Sequence, residues 1–143
     1  CMTDAYDASI PEHRKIAHGI ELGDGIPEMR TIKQARSALK TVGFEIEREA
    51  DLADLGDKVP WYYPLEGDIR KVQTAWDLFT CWRMTWFGKL CTQSMVRVLE
   101  FVGLAPKGTF DVGESLKVAA DALVAGGQMK LFTPMMLFIA HKR

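Results

Sequence analysis

The sequence lacks the features that define several large classes of protein. Its longest wholly apolar run covers only residues 134–140, whereas a helix needs about 20 such residues to cross a bilayer. The net charge is −1 and the basic residues do not cluster, so no nucleic-acid partner is predicted. The three cysteines, Cys1, Cys81 and Cys91, lack the spacing of metal ligands. We expect them to be reduced, buried thiols in a protein that faces the cytosol.

The motifs of several common active sites are also missing. Gly23-Asp24-Gly25 lies between two predicted helices and not after a strand, as a phosphate-binding loop would. No Gly-x-Ser-x-Gly turn and no His-x-x-x-His pair occurs. His13 and His18 are five residues apart and do not share a helix face well, so no metal site is expected. Carboxylates and aromatic rings are the remaining candidates for chemistry.

The most unusual stretch is 60–68, Pro-Trp-Tyr-Tyr-Pro-Leu-Glu-Gly-Asp. Its two prolines favour extended backbone, which predicts a stiff loop that is neither helix nor regular strand. Ring faces beside carboxylates would suit an apolar ligand that develops positive charge. The alternative is that the rings only anchor a loop to the core. A surplus of aromatic residues at 76–87 likewise suggests a pocket, a partner surface or membrane contact in addition to core packing.

Helices are predicted where capping patterns precede apolar residues at helical spacing. Three capping boxes are expected to start helices, at Ser9–Glu12, Thr31–Gln34 and Asp111–Glu114. Asp68 is expected to start a further helix that breaks near Gly88 and resumes near Thr92. Gly126-Gly127 is expected to end the last helix.

Two strands are predicted, at 44–50 and 131–141. The first alternates apolar and polar residues, whereas the other has few polar positions and is expected to be buried on both faces. Two strands among many helices suggest the edge of a larger sheet. Glu21 and Asp24 are unusual near the end of the first helix, because negative charge there opposes the helix dipole. A functional placement would explain this cost, although solvated surface carboxylates are the commoner explanation.

Five blocks of residues resemble the C-terminal half of sterol 24-C-methyltransferases, and the similarity covers essentially the whole chain. The blocks are residues 2–7, 20–27, 38–45, 60–68 and 130–138. The resemblance implies an α/β fold, the C-terminal fragment of a class I S-adenosylmethionine-dependent methyltransferase, mostly helical with two antiparallel strands. It divides the chain into the end of the methyltransferase core (1–59), a helical C-terminal region (60–130) and the last core strand (131–143). It also implies that the loop that binds S-adenosylmethionine lies upstream of Cys1.

The resemblance further implies transfer of a methyl group to carbon 24 of a sterol side chain, where a cation develops and a proton is then lost. Glu21 is expected to be the catalytic base or cation stabiliser. The other expected sterol-side residues are Asp4, Tyr6, Asp24, Trp61, Tyr62, Tyr63 and Glu66. The family leads us to expect a homo-oligomer on the cytosolic face of the endoplasmic reticulum membrane or a lipid droplet. The alternatives are a non-catalytic sterol- or lipid-binding module and a dimerising helical module.

Overall fold

The computed structural model describes residues 1–56 and 58–142. Asp57 and Arg143, which fall in the predicted ranges 1–59 and 131–143, lie outside the described residues. The structure is mostly helical with two antiparallel strands. In chain order the elements are α1 (Pro11–Asp24), α2 (Ile32–Thr41), β1 (Phe44–Asp51), α3 (Tyr63–Glu66), a 3₁₀ helix (Ile69–Lys71), α4 (Ala75–Met84), α5 (Trp86–Phe101), α6 (Thr109–Gln128) and β2 (Met136–Lys142).

The two predicted strands pair with each other. β1 and β2 run antiparallel, from Phe44 opposite Lys142 to Asp51 opposite Met136, with an irregularity between Ile46 and Arg48. The prediction for β1 is confirmed. The prediction that 131–141 forms one strand buried on both faces is wrong, because β2 begins only at Met136 and its Ile139 is 42% exposed.

Residues 131–133 are buried for a different reason. They lie beside the extended opening segment, where the Thr3 N–H donates to the Leu131 carbonyl at 2.9 Å. Met2 also pairs on its other side, because the Ile32 N–H donates to the Met2 carbonyl at 2.9 Å. Met2 is 1% exposed, so this segment has neighbours on both sides. The loop that follows it is thereby held over α1.

The core is small and lies between α1, the opening segment and the end of α6. It consists of Met2, Ile16, Ala17, Ile20, Leu131 and Phe132. Away from it, α4, α5 and α6 keep many large apolar side chains exposed, including Trp76, Trp86 and Phe101. Cys81 is buried as expected, but Cys91 is exposed and Cys1 is only partly buried, so the expectation of three buried thiols is wrong.

Only one of the three predicted capping boxes forms. At α2 the Thr31 hydroxyl accepts the Gln34 N–H at 3.2 Å, and the Gln34 side chain accepts the Thr31 N–H at 2.9 Å. At α1 the N-cap is Ile10, with no side-chain cap. Ser9 lies one residue before this N-cap, and its hydroxyl donates to Asp7 Oδ1 at 2.7 Å.

The third predicted box, at Asp111, is wrong because α6 begins two residues earlier. Its first turn is capped from α5, where the Glu100 carboxylate accepts the N–H groups of Gly108 at 2.7 Å and Phe110 at 3.2 Å. A carboxylate at a helix N-terminus is also favoured by the helix dipole. This capping residue comes from another helix, so a local pattern does not reveal it.

The other predicted helix boundaries also need correction. Asp68 caps only the 3₁₀ helix, and α4 starts from a capping box between Thr74 and Asp77. The break between α4 and α5 falls at Thr85, which ends one helix and caps the next. Gly126-Gly127 does not end α6, which continues to Gln128.

Candidate functional site

The aromatic stretch at 60–68 is anchored to the core and is not the stiff loop that we predicted. Residues Tyr63–Glu66 form the short helix α3. The Trp61 ring meets the Phe132 ring edge-on, with 5.8 Å between their centroids. The Tyr62 ring covers Gly127, where a Cβ atom would lie 2.3 Å from Tyr62 Cδ1. Two of the three rings therefore pack on the end of α6 and on the segment after it.

The polar groups of this stretch are paired with neighbouring residues. Glu66 accepts from Lys71 Nζ at 3.1 Å and from Gln128 Nε2 at 3.0 Å. Loss of solvent raises the pKa of Tyr63, and its hydrogen bond to Asp77 raises it further. These contacts tie α3 to α4 and α6. The carboxylate of Glu66 is thus engaged with a lysine and an amide.

A second group of predicted residues meets in a cavity of about 500 Å³. The walls come from the loop after Met2, one face of α1 and the segment before α2. Tyr6 and Glu21 both line this cavity, together with Asp7, Arg14, His18, Glu28, Met29, Thr31 and Gln34. The volume is within the range of small-molecule sites, roughly 300–1,000 Å³.

Glu21 combines a structural contact with access to this cavity. Its side chain is 19% exposed, and Oε1 accepts the Met29 N–H at 2.7 Å. That hydrogen bond closes the turn between α1 and α2. Oε2 lies 4.0 Å from His18 Nδ1, beyond hydrogen-bond distance. Oε1 therefore binds the backbone of Met29, whereas Oε2 lies nearer to His18.

Tyr6 lines the same cavity from the loop that follows Met2. The ring stacks on His13, with centroids 6.2 Å apart, and the His13 Nδ1 atom accepts the Asp7 N–H at 3.1 Å. The pKa of Asp7 is lowered chiefly by the Ser9 backbone N–H and then by the Ser9 hydroxyl. The loop of residues 4–9 is therefore fixed by its own hydrogen bonds and by α1.

Arg36 connects this loop to β1. Its Nη1 donates to Asp4 Oδ2 at 3.0 Å, and its Nε donates to Glu49 Oε2 at 2.7 Å. The two carboxylates raise the pKa of Arg36 above its ordinary value, Glu49 more than Asp4. The guanidinium remains charged in any case. Asp4 is thus held at the edge of the loop that carries Tyr6.

The structure brings some of the predicted site residues together and separates others. Tyr6 and Glu21 share a cavity. Asp4 contacts Arg36, and Asp24 is exposed. The predicted residues Trp61, Tyr62, Tyr63 and Glu66 do not line the cavity of Tyr6 and Glu21. Sequence reasoning missed Arg36 and Met29, and only the unusual position of Glu21 near the end of α1 gave a signal.

The cofactor that the resemblance implies is not accommodated by these residues. Nucleotide-containing cofactors are commonly held where a strand leads through a glycine-rich turn into a helix. Here Gly23–Gly25 lies at the end of α1, and the Gly25 N–H donates to the Glu21 carbonyl. The described residues therefore do not by themselves fit S-adenosylmethionine.

Part of the chain is similar to a known family. Residues 79–142, which run from α4 to the end of β2, match the family described as sterol methyltransferase C-terminal. No solved structure matches the chain.

Comparison with individual proteins covers nearly all of the chain. It is 56% identical over 141 residues to the sterol 24-C-methyltransferase of Clavispora lusitaniae, 57% to that of Kluyveromyces lactis and 55% to that of Saccharomyces cerevisiae. Each match covers 99% of this chain but only 37–38% of the relative. The resemblance to the C-terminal portion of sterol 24-C-methyltransferases is therefore confirmed.

The apolar character of α4 to α6 does not amount to a membrane span. Among residues 1–56 and 58–142, no helix combines the length and the hydropathy needed to cross a bilayer.

Proposed function

We propose that the chain forms the sterol side of an S-adenosylmethionine-dependent sterol 24-C-methyltransferase. The observation that carries the proposal is the shared cavity of Tyr6 and Glu21, in a chain about 55% identical to enzymes of that name. In such a reaction the cofactor supplies the methyl group, and the residues of this chain act on the sterol. The cofactor itself is held mainly by residues outside those described here.

Two side chains have the chemistry that the sterol side of this reaction requires. The Tyr6 ring offers a π face to positive charge that develops on the sterol side chain. Glu21 offers a carboxylate that stabilises the cation and accepts the proton that is finally lost. Asp4, Asp24, Trp61, Tyr62, Tyr63 and Glu66 complete our proposed set of sterol-side residues.

A chimera tests this proposal. The chain would replace the matching 37% of the S. cerevisiae relative, and methylation of a Δ24-sterol would be measured. Glu21→Gln should lower kcat by roughly 10²–10⁴-fold, as loss of a general base does, and glutamine can still accept the Met29 N–H. Glu28→Gln is the matched control, since Glu28 lines the same cavity but pairs with Arg30 at 3.0 Å. An inactive chimera, or equal effects of the two variants, would refute the proposal.

We also propose that the assembled protein is peripheral to the endoplasmic reticulum membrane or a lipid droplet, on the cytosolic face. The insolubility of sterols and the exposed apolar side chains of α4 and α5 support this. Flotation of the chain with sterol-containing vesicles would test it. Recovery only in the unbound fraction would argue against membrane association.

The second candidate function is that of a dimerising helical module, which would also satisfy the expectation of a homo-oligomer. Trp76, Trp86 and Phe101 are 76%, 79% and 94% exposed, and burying such side chains against a second copy is favourable. Sedimentation equilibrium over a wide range of concentration would test it. A monomer at every concentration, with native circular dichroism, would exclude this function.

A further inference from the structure

A second cavity lies between α5 and α6, away from Tyr6 and Glu21. Its volume is about 250 Å³, slightly below the roughly 300–1,000 Å³ of sites for drug-sized ligands. Met84, Val96, Phe110 and Leu116 form much of its apolar wall. A narrow apolar cleft of this size suits a flexible chain better than the fused rings of a sterol.

The charged residues that line this cleft all have one sign, although the carboxylates of Asp121 and Glu114 contact the lining residues Lys89 and Gln93. Arg83, Lys89 and Lys117 line it, and none of the lining residues is a carboxylate. Lys89 Nζ lies 3.4 Å from Asp121 Oδ1, on a carboxylate that is 63% exposed. An exposed ion pair of this kind is weak, so an incoming anion can compete for Lys89.

Gly113 keeps part of the cleft open. It lies inside α6, where glycine is less favourable than alanine. Its φ is not positive, and a Cβ atom built on it would meet nothing within 4 Å. Neither backbone conformation nor packing requires a glycine here. Gly113 lines the cleft, and the open space above it is part of that cleft.

We propose that this cleft binds a single-chain amphiphile with an anionic head group. The apolar tail lies between α5 and α6 over Gly113, and the head group lies among Arg83, Lys89 and Lys117. The inference does not depend on the sterol methyltransferase proposal, since none of these residues lines the first cavity.

The test is calorimetric titration of the whole chain with laurate below its micelle concentration. Dodecyltrimethylammonium, which has the same tail length and opposite charge, is the probe control. Laurate should bind with one-to-one stoichiometry and at least about tenfold more tightly than the cationic probe. Equal binding of the two probes, or no binding of laurate, would overturn the proposal.

Two variants separate the tail site from the head site. Gly113→Leu fills the cleft and should weaken laurate binding at least about tenfold, while Gly113→Ala should change it less than about threefold. If Gly113→Leu does not fold, the double variant Arg83→Gln/Lys117→Gln decides, because both side chains are exposed. It should weaken laurate binding at least about tenfold and should not weaken binding of the cationic probe, because the repulsion on a cationic head group is reduced. Unchanged laurate binding in the charge variant would refute the assignment.

Discussion

Replacing Gly88 by alanine should destabilise the chain, whereas the same replacement at Gly113 should stabilise it. Gly88 lies in the first turn of α5, and it is buried against the last turn of α4. A Cβ atom on Gly88 would lie 2.1 Å from the Trp82 carbonyl oxygen and 2.8 Å from the Arg83 Cα atom. Both are backbone atoms, so no change of rotamer relieves the overlap.

The expected magnitudes follow from two opposing effects. Alanine gains roughly 0.5–1 kcal/mol over glycine inside a helix, and this gain is common to both positions. At Gly113 nothing opposes it. At Gly88 the α4–α5 junction must open by roughly 1 Å, and overpacking of this kind costs typically about 1–3 kcal/mol, occasionally more. The net change at Gly88 is thus a loss of up to about 2.5 kcal/mol, with a central value of about 1 kcal/mol.

Urea unfolding followed by circular dichroism would measure both changes. The urea concentration at the midpoint of unfolding should fall for Gly88→Ala and rise for Gly113→Ala. The slope of the free energy of unfolding against urea concentration should stay unchanged in both variants. A Gly88→Ala variant as stable as the parent would mean that the junction between α4 and α5 is looser than described. A destabilised Gly113→Ala variant would mean that the space over Gly113 is not open.

Three further changes should alter stability in defined ways. Ile20→Ala should lower the free energy of unfolding by about 2–5 kcal/mol in urea titration, because Ile20 is fully buried. The pKa of Asp77 is lowered, chiefly by the Thr74 side chain, so its stabilisation is present above pH 3.8 and is lost as the pH falls further. The Tm of Asp77→Asn should therefore fall less steeply than the Tm of the parent between pH 6 and pH 2. Arg36→Gln should lower Tm by breaking the contacts with Asp4 and Glu49, and 1 M NaCl should reduce the difference from the parent.

Local patterns in the sequence predict those elements whose stabilising groups are close in the chain. β1 and the capping box of Thr31 and Gln34 were predictable because alternation and an i, i+3 pair are local. The Asp111 box failed because Glu100, from the preceding helix, caps α6 more directly. Thr74 was missed because Asp68, six residues earlier, also carries a capping side chain. Where several nearby side chains could each cap a helix, contacts that are distant in sequence decide which of them does so.

The aromatic stretch shows why residue type alone did not predict how its rings pack. Adjacent rings and carboxylates favoured a ligand surface, yet Trp61 and Tyr62 pack on Phe132 and Gly127. Gly127 was predicted to end a helix, whereas it leaves room inside the helix for the Tyr62 ring. Pairing of a ring with a glycine 65 residues away cannot be inferred from either local sequence.

The unusual position of Glu21 near the C-terminal end of α1 has one explanation in a hydrogen bond of the structure and a second in the proposed reaction. The hydrogen bond from the Met29 N–H to Oε1 accounts for the placement of a carboxylate where the helix dipole opposes it. That contact needs only an acceptor, which glutamine also provides. Negative charge beside the cavity, by contrast, needs the carboxylate. If Glu21→Gln retains Tm and loses methylation in the chimera, the charge serves the reaction; if it loses neither, the residue is kept for the turn alone.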